Sequence, residues 1–169
     1  MINYKNKPKY FILDVDGVMT DGTFYYSKSG KILKLFGPDD HDALLYIKKY
    51  LHVEFITSDR KKGYEISKKR IVSDMKFKLT RVKASERLNW IKSRFDLNRL
   101  IFMGDGIFDS LVMKKVFYSI ATIDSDEDCR KIASYVTKKS GGRRAVSEAC
   151  KHIAKKFFNK KINKPWEYL

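Results

Sequence analysis

The chain has 169 residues, 43% of them hydrophobic, with 36 lysines and arginines against 20 aspartates and glutamates, a formal net charge of +16. That size and apolar share suit one domain over residues 1–169 with a full core, and they exclude collagen-like, repeat and low-complexity classes. No apolar leader follows the polar start "MINYKNKPKY", no run approaches the roughly 18 apolar residues of a membrane span, and Cys129 and Cys150 make no disulfide framework, so a cytoplasmic protein without membrane contact is expected.

In chain order, "YFILDV" (Tyr10–Val15) is a short continuous apolar run closed by Gly17, the pattern of a buried strand. Thr23–Phe36 carries two β-rich arms around "KSGK", with Gly30 at the turn, and predicts a hairpin. "DDHDALLYIKKYL" spaces Ala43, Leu44, Ile47 and Leu51 as one face of a helix, with acids at the N-terminus where the helix dipole favours them. Val53–Ser58 is a second strand, "KKGYEISKKRIV" a helix, and "KFKLTRV" a short strand. "ASERLNWIKSRF" reads as a helix, with Ser85 as its cap and Leu88, Ile91 and Phe95 on one face. Arg99–Asp105 is a third long strand and "FDSLVMKKV" a short helix. "YSIAT" and "YVT" are further strands, and "RAVSEACKHIAKKFF" is an amphipathic helix entering a basic tail over about 155–169.

Strands alternating with helices imply an α/β fold with a mostly parallel sheet covered on both faces, whose ligands bind beyond the carboxyl ends of the strands. The first strand ends in Asp14 and Asp16, the second in Thr57 and Ser58, and the third in Asp105 with Asp109 just beyond. Residues two apart in a strand face the same side, which predicts Asp14 and Asp16 side by side, with Gly17 turning the chain. Gathered carboxylates need a cation, and an oxygen-only set without histidine or cysteine points to Mg²⁺ rather than zinc. One carboxylate could then attack phosphorus while its neighbour serves as acid and base.

"DVDGVMTDG", the hairpin "GTFYYSKSGKILKLF", "FITSDR", "FMGDGIFD" and "YVTKKSGGRRAVSEAC", in that order, resemble the haloacid dehalogenase superfamily, more narrowly its small sugar-acid phosphatases acting on 3-deoxy-D-manno-octulosonate 8-phosphate or nonulosonate 9-phosphates. The resemblance runs from about Tyr10 to about Ile153. It implies a Rossmann-like parallel sheet with helices on both faces, a hairpin insertion at 23–36 and no large cap domain. It implies a nucleophile at Asp14 and a general acid and base at Asp16. Asp14, the Asp16 backbone carbonyl and Asp105 would hold Mg²⁺, with Asp109 supporting them. Thr57 would bind a phosphoryl oxygen, and Lys83, with Arg87 as its rival, would balance charge in the transition state. Ser58, Arg60, Arg143 and Arg144 would bind the sugar acid. It also implies a homotetramer built through the hairpin, with Gly141–Arg144 closing a neighbour's site.

The chain departs from that pattern at Asp39, Asp40 and His41, at Gly106 where relatives carry a second acid, and in a longer "TSDR". A phosphatase-like assembly domain of nucleotide-sugar synthesis without catalysis is the alternative reading. A receiver-type signalling domain is disfavoured, because its phosphorylated acid follows a later strand and it lacks the hairpin. The positive charge attracts anions in general and selects no nucleic acid.

Overall fold

The computed structural model describes residues 7–162. In chain order its elements are β1 (Tyr10–Asp14), β2 (Tyr25–Ser27), β3 (Gly30–Leu33), α1 (Asp40–Ile47), β4 (His52–Thr57) and α2 (Lys61–Lys68), which runs on into a π-helical turn, Lys69–Asp74. Next come β5 (Lys78–Arg81), a 3₁₀ turn at Ala84–Glu86 opening α3 (Arg87–Lys92), and β6 (Leu100–Gly104). The chain continues through α4 (Ile107–Met113), β7 (Tyr118–Ala121), α5 (Glu127–Ile132), β8 (Tyr135–Val136) and α6 (Ala145–Phe158).

Six strands form one sheet in the order β5-β4-β1-β6-β7-β8, and each neighbouring pair is parallel. Both faces are covered, which is why the central strands read as unbroken apolar runs. Phe11, Leu13, Val53, Phe55, Ile101 and Met103 share one core with Leu44 and Ile47 of α1 and with Val146, Ala149 and Ile153 of α6. Ile12, Ile56, Leu100 and Phe102 turn to the other face, where Ile91 of α3, Val112 of α4 and Cys129 of α5 cover them. The order of strands puts β1 between β4 and β6. The carboxyl ends carrying Asp14, Thr57 and Asp105 are therefore adjacent.

β2 and β3 form a separate antiparallel hairpin, shorter than Thr23–Phe36 and turned at Gly30 with φ +103°. Its apolar side chains point out: Tyr26 is 66% and Leu33 58% exposed, while Lys34, just past β3, is buried. The helix over residues 127–132 has no counterpart in the sequence reading. It is capped by Asp126, which accepts the N–H of Asp128, and its apolar content is too small for a periodic signal. Ser85 does not cap α3, since the chain enters that helix through the 3₁₀ turn. Lys155–Phe158 belong to the last turn of α6 rather than to a tail, because Phe157 packs into the core; the rest of the expected tail beyond residue 162 lies outside the described residues.

Candidate active site

β1 ends at Asp14, and the chain then winds up: the N–H groups of Val18, Met19 and Thr20 all point to the carbonyl of Val15. Strand alternation therefore does not orient Asp16. This turn does, and it sends the two aspartates to different partners. Gly17, at φ +82°, is required twice over: the left-handed backbone is cheap only for glycine, and a Cβ there would overlap the carboxylate of Asp105. Thr20, fully buried, accepts the N–H groups of Gly17 and Gly22 at 3.3 Å and holds the loop closed.

Asp14, Asp105 and Asp109 converge, each offering an oxygen within 4.8 Å of the others. Asp109, fully buried in α4, accepts the N–H groups of Asp105 and Gly106 at 3.0 and 3.1 Å through Oδ2, which fixes the β6–α4 turn. Its Oδ1 accepts from the guanidinium of Arg87, which also donates to Asp14 Oδ2 at 2.8 Å. Burial, reinforced by Asp109 and opposed by Arg87, pushes the Asp14 carboxyl up to about 7. Burial and then the charge of Asp14 push Asp105 up to about 8. One arginine thus undercompensates three acids. For Arg87 itself burial works against the charge, but Asp14 and Asp109 outweigh it and raise its pKa.

The predicted charge-balancing lysine is a correction. Lys83 lies at the surface, 62% exposed, and pairs with Glu86 at 3.0 Å. It precedes the 3₁₀ turn in extended backbone at the surface, whereas Arg87 opens α3 and is buried against the acids. Arg87, its sequence rival, is the cation in contact with the acids.

Asp16 is half-buried and held on both oxygens. Lys34 Nζ approaches Oδ1 to 2.7 Å as an ion pair, and the Thr57 hydroxyl donates to Oδ2 at 3.4 Å. Lys34 has no exposed side-chain surface; its ammonium also meets Asp59 Oδ2 and Ser67 Oγ at 2.8 Å. Neither Lys34 nor Asp59 was singled out by sequence. Nothing in the sequence marks this lysine, one of 36 basic residues, as the buried side chain of a hairpin whose apolar residues face out.

Ser58 and Arg60 are exposed and line a cleft of about 390 Å³ at the ends of β4 and β5, together with Arg81, Val82, Lys83, Glu86 and Trp90. Arg143 is exposed, and Arg144 donates through Nε to Asp39 Oδ2 at 2.5 Å. The preceding glycines serve their own chain: a Cβ on Gly141 would overlap the carbonyl of Gly17, and one on Gly142 would crowd Thr20 and Asp21. Asp40 is buried and accepts the Ser147 N–H at 2.7 Å, and His41 packs edge-on against Phe77. Asp39 and Asp40 thus secure the start of α6, and His41 packs against Phe77, rather than forming an open rim.

The gathered acids at the carboxyl edge, with a buried arginine beside them and basic side chains around the mouth, make a site for a cation and an anion together. No family model matches the chain. It is 31% identical over 148 residues to the 3-deoxy-D-manno-octulosonate 8-phosphate phosphatase of Escherichia coli K12, covering 84% of this chain and 77% of that protein. The solved structure of the Yersinia pestis phosphatase of the same name matches with a TM-score of 0.74 at 28% identity, over 88% of this chain and 82% of that one. The Moraxella catarrhalis phosphatase, solved in complex with magnesium ion, phosphate ion and a KDO molecule, shares the fold with a TM-score of 0.76 at 24% identity, over 91% and 90%. Among the described residues, no helix is long and apolar enough to cross a membrane.

Proposed function

Since the chain belongs to the 3-deoxy-D-manno-octulosonate 8-phosphate phosphatase family of the haloacid dehalogenase superfamily, we propose that it hydrolyses the phosphate monoester of a sugar acid, 3-deoxy-D-manno-octulosonate 8-phosphate or a nonulosonate 9-phosphate, by way of an aspartyl phosphate on Asp14. The observation that carries this reading is the convergence of Asp14, Asp105 and Asp109 on Arg87, with Asp16 alongside on its own supports.

The donor set fits Mg²⁺. Its oxygens are carboxylate, and burial leaves Asp14 and Asp105 short of positive charge, as their raised pKa values record. Asp14, Asp105 and the backbone carbonyl of Asp16 would hold the ion. Asp109 would position Asp105 from behind, since both its oxygens are already engaged. When bound, Mg²⁺ supplies positive charge to the transferring phosphoryl group and keeps the acids ionised. The magnesium and phosphate in the Moraxella catarrhalis complex support this assignment.

A carboxylate oxygen of Asp14 attacks phosphorus as the bond to the sugar oxygen breaks, and Asp16 gives that oxygen its proton. Asp16 then takes a proton from water, whose oxygen attacks phosphorus. The bond to Asp14 breaks and phosphate leaves. Arg87 offsets the charge on Asp14 and Asp109 throughout, and Thr57, buried at the end of β4, offers its hydroxyl beside Asp16. Arg60, in the cleft beside Ser58, is our choice for the sugar-acid carboxylate; Arg143 is exposed and has no ion-pair partner among the described residues, whereas Arg144 is engaged by Asp39. The exposed Tyr25, Tyr26, Ile32 and Leu33 support assembly through the hairpin as a homotetramer; a monomer by light scattering at micromolar concentration would reject it.

The function is tested by incubating the protein with Mg²⁺ and a panel of phosphorylated sugar acids, sugars and nucleotides. Phosphate release is expected from a sugar-acid phosphate and not from Asp14→Asn. No release from any compound, with wild type equal to Asp14→Asn, sinks the reading and leaves the non-catalytic assembly domain.

A further inference from the structure

The mechanism above leaves one buried charge unused. Lys34 belongs to the hairpin's exit, not to the sheet, yet its ammonium sits with no exposed surface between Asp16 and Asp59. A lone buried ammonium is costly, so its three N–H groups need partners. It pairs with Asp16 Oδ1 at 2.7 Å and Asp59 Oδ2 at 2.8 Å, and donates a hydrogen bond to Ser67 Oγ at 2.8 Å.

Asp59 is itself anchored more than a surface ion pair requires. Its Oδ1 accepts the N–H of Arg60 at 2.8 Å, and its Oδ2 also receives Lys31 at 2.7 Å. Its backbone N–H donates to Thr57 Oγ1 at 3.1 Å, and Gly63 leaves room that a Cβ would take from its carboxylate. The Thr57 hydroxyl in turn reaches the other oxygen of Asp16. Asp16 is thus gripped on one oxygen by a lysine and on the other by a threonine, and both grips are tied to Asp59.

We propose that Lys34 and Asp59 are positioning residues for Asp16: Lys34 holds the Asp16 carboxyl group in line, so that its protonated oxygen can give its proton to the leaving group, and Asp59 holds Lys34. This rests on the phosphatase reading of the site. It assigns the hairpin a second task besides assembly, because Lys34 follows directly on β3 and Lys31 of β3 binds Asp59 as well. Lys31 lies 3.4 Å from the centre of the Phe24 ring, so the aromatic side chain of the hairpin shelters the same pair of charges.

The test uses the dependence on leaving group. A sugar oxygen must be protonated as it departs, whereas p-nitrophenol leaves as a stable phenolate and needs no acid. kcat/KM covers the steps up to loss of the leaving group, so it reads Asp16 as acid. For Lys34→Met, kcat/KM on 3-deoxy-D-manno-octulosonate 8-phosphate is expected to fall by about 10- to 100-fold, and on p-nitrophenyl phosphate by less than about threefold. Lys34→Met/Asp59→Asn, which removes one charge of each sign, should show the same split and covers the case in which the single variant does not fold. In an Asp16→Asn background, Lys34→Met should cost less than about twofold more, since the residue it positions has gone. An equal fall on both substrates, or full additivity with Asp16→Asn, overturns the positioning role and leaves the phosphatase reading standing. No turnover of the sugar phosphate by the wild-type protein overturns both.

Discussion

The two aspartates of β1's exit, two residues apart, live in different parts of the molecule. Asp14 belongs to the sheet: its cation, Arg87, comes from α3, and its acid neighbours Asp105 and Asp109 come from the β6–α4 turn, all fixed by the buried core. Asp16 belongs to the insertion: its cation, Lys34, comes from the hairpin, whose outer face is apolar and uncovered. In the proposed mechanism the metal- and phosphoryl-binding half is therefore built from the sheet and the helix layer on it, and the proton-transfer half hangs on an element that the sheet does not need. Chemistry on the first half should be intolerant of any change. Chemistry on the second should depend on what the leaving group demands.

Asp14→Asn gives the largest expected effect. It removes the proposed nucleophile, so turnover should fall by about a thousandfold or more on every substrate, p-nitrophenyl phosphate included. Asp16→Asn should cost about 10²- to 10⁴-fold on a sugar phosphate and clearly less on p-nitrophenyl phosphate in kcat/KM. Equal losses for both variants on both substrates would erase the distinction between the halves.

Arg87→Met comes next. It strands Asp14 and Asp109 in a buried site, a loss of about 3–5 kcal/mol of stability for a pair broken in this way, and activity should drop by about a hundredfold even where the protein stays folded. Lys83→Ala should stay within about twofold of wild type, since its side chain is exposed at the edge of the cleft and pairs with Glu86 rather than with the buried acids. Melting curves and phosphate release on the two variants separate them. A Lys83 variant as impaired as the Arg87 variant would return the role to the lysine.

That pair also marks where the sequence was legible. The alternation of strands and helices, and the acids at the ends of β1 and β6, are strong local patterns, and the structure brings Asp14, Asp105 and Asp109 together as those patterns imply. The choice between Lys83 and Arg87 depended on where α3 begins, and a 3₁₀ turn shifts that start by a few residues. Lys34 and Asp59 were hidden for another reason. Their pairing joins residues far apart in sequence across the hairpin and α2, and in a chain with 36 basic residues one more lysine carries no signal unless its burial is known. Gly141–Arg144 is expected to close a neighbour's site; within this chain the small size of Gly141 and Gly142 lets them pack against the loop after Asp16.

The first half has a pH signature of its own. Asp14 and Asp105, raised by burial from 3.8 to about 7 and about 8, keep protons in the folded chain that unfolded carboxyls release. Their contribution to stability is complete below about pH 4 and is lost as pH rises through about 7 to 8. In EDTA, the melting temperature should therefore fall between pH 5 and pH 8, and Asp105→Asn should flatten that fall. Each kcal/mol is worth roughly 2–4 °C for a chain of this size. Added Mg²⁺ should raise the melting temperature more at pH 8 than at pH 6, because it binds the ionised carboxylates. The same slope in wild type and Asp105→Asn would remove these acids as its source.

The smallest expected effect separates two arginines that the sequence alone treats as equals. Arg60 lines the cleft beside Ser58 and has no carboxylate partner among the described residues, so a sugar-acid carboxylate can take both its donors. Arg144 already gives its Nε to Asp39, and both residues of that pair hold left-handed backbone, φ +74° and +65°. To bind a substrate, Arg144 would first have to leave Asp39. Arg144→Gly keeps that backbone at no steric cost and removes only the side chain. It should change KM for the sugar-acid phosphate by less than about threefold, whereas Arg60→Ala should raise KM by about tenfold, the loss of one or two charge-assisted hydrogen bonds, with kcat little altered. The reverse ranking would mean that Asp39 stores Arg144 for the substrate, and that the carboxylate is read at the start of α6 rather than at the end of β4.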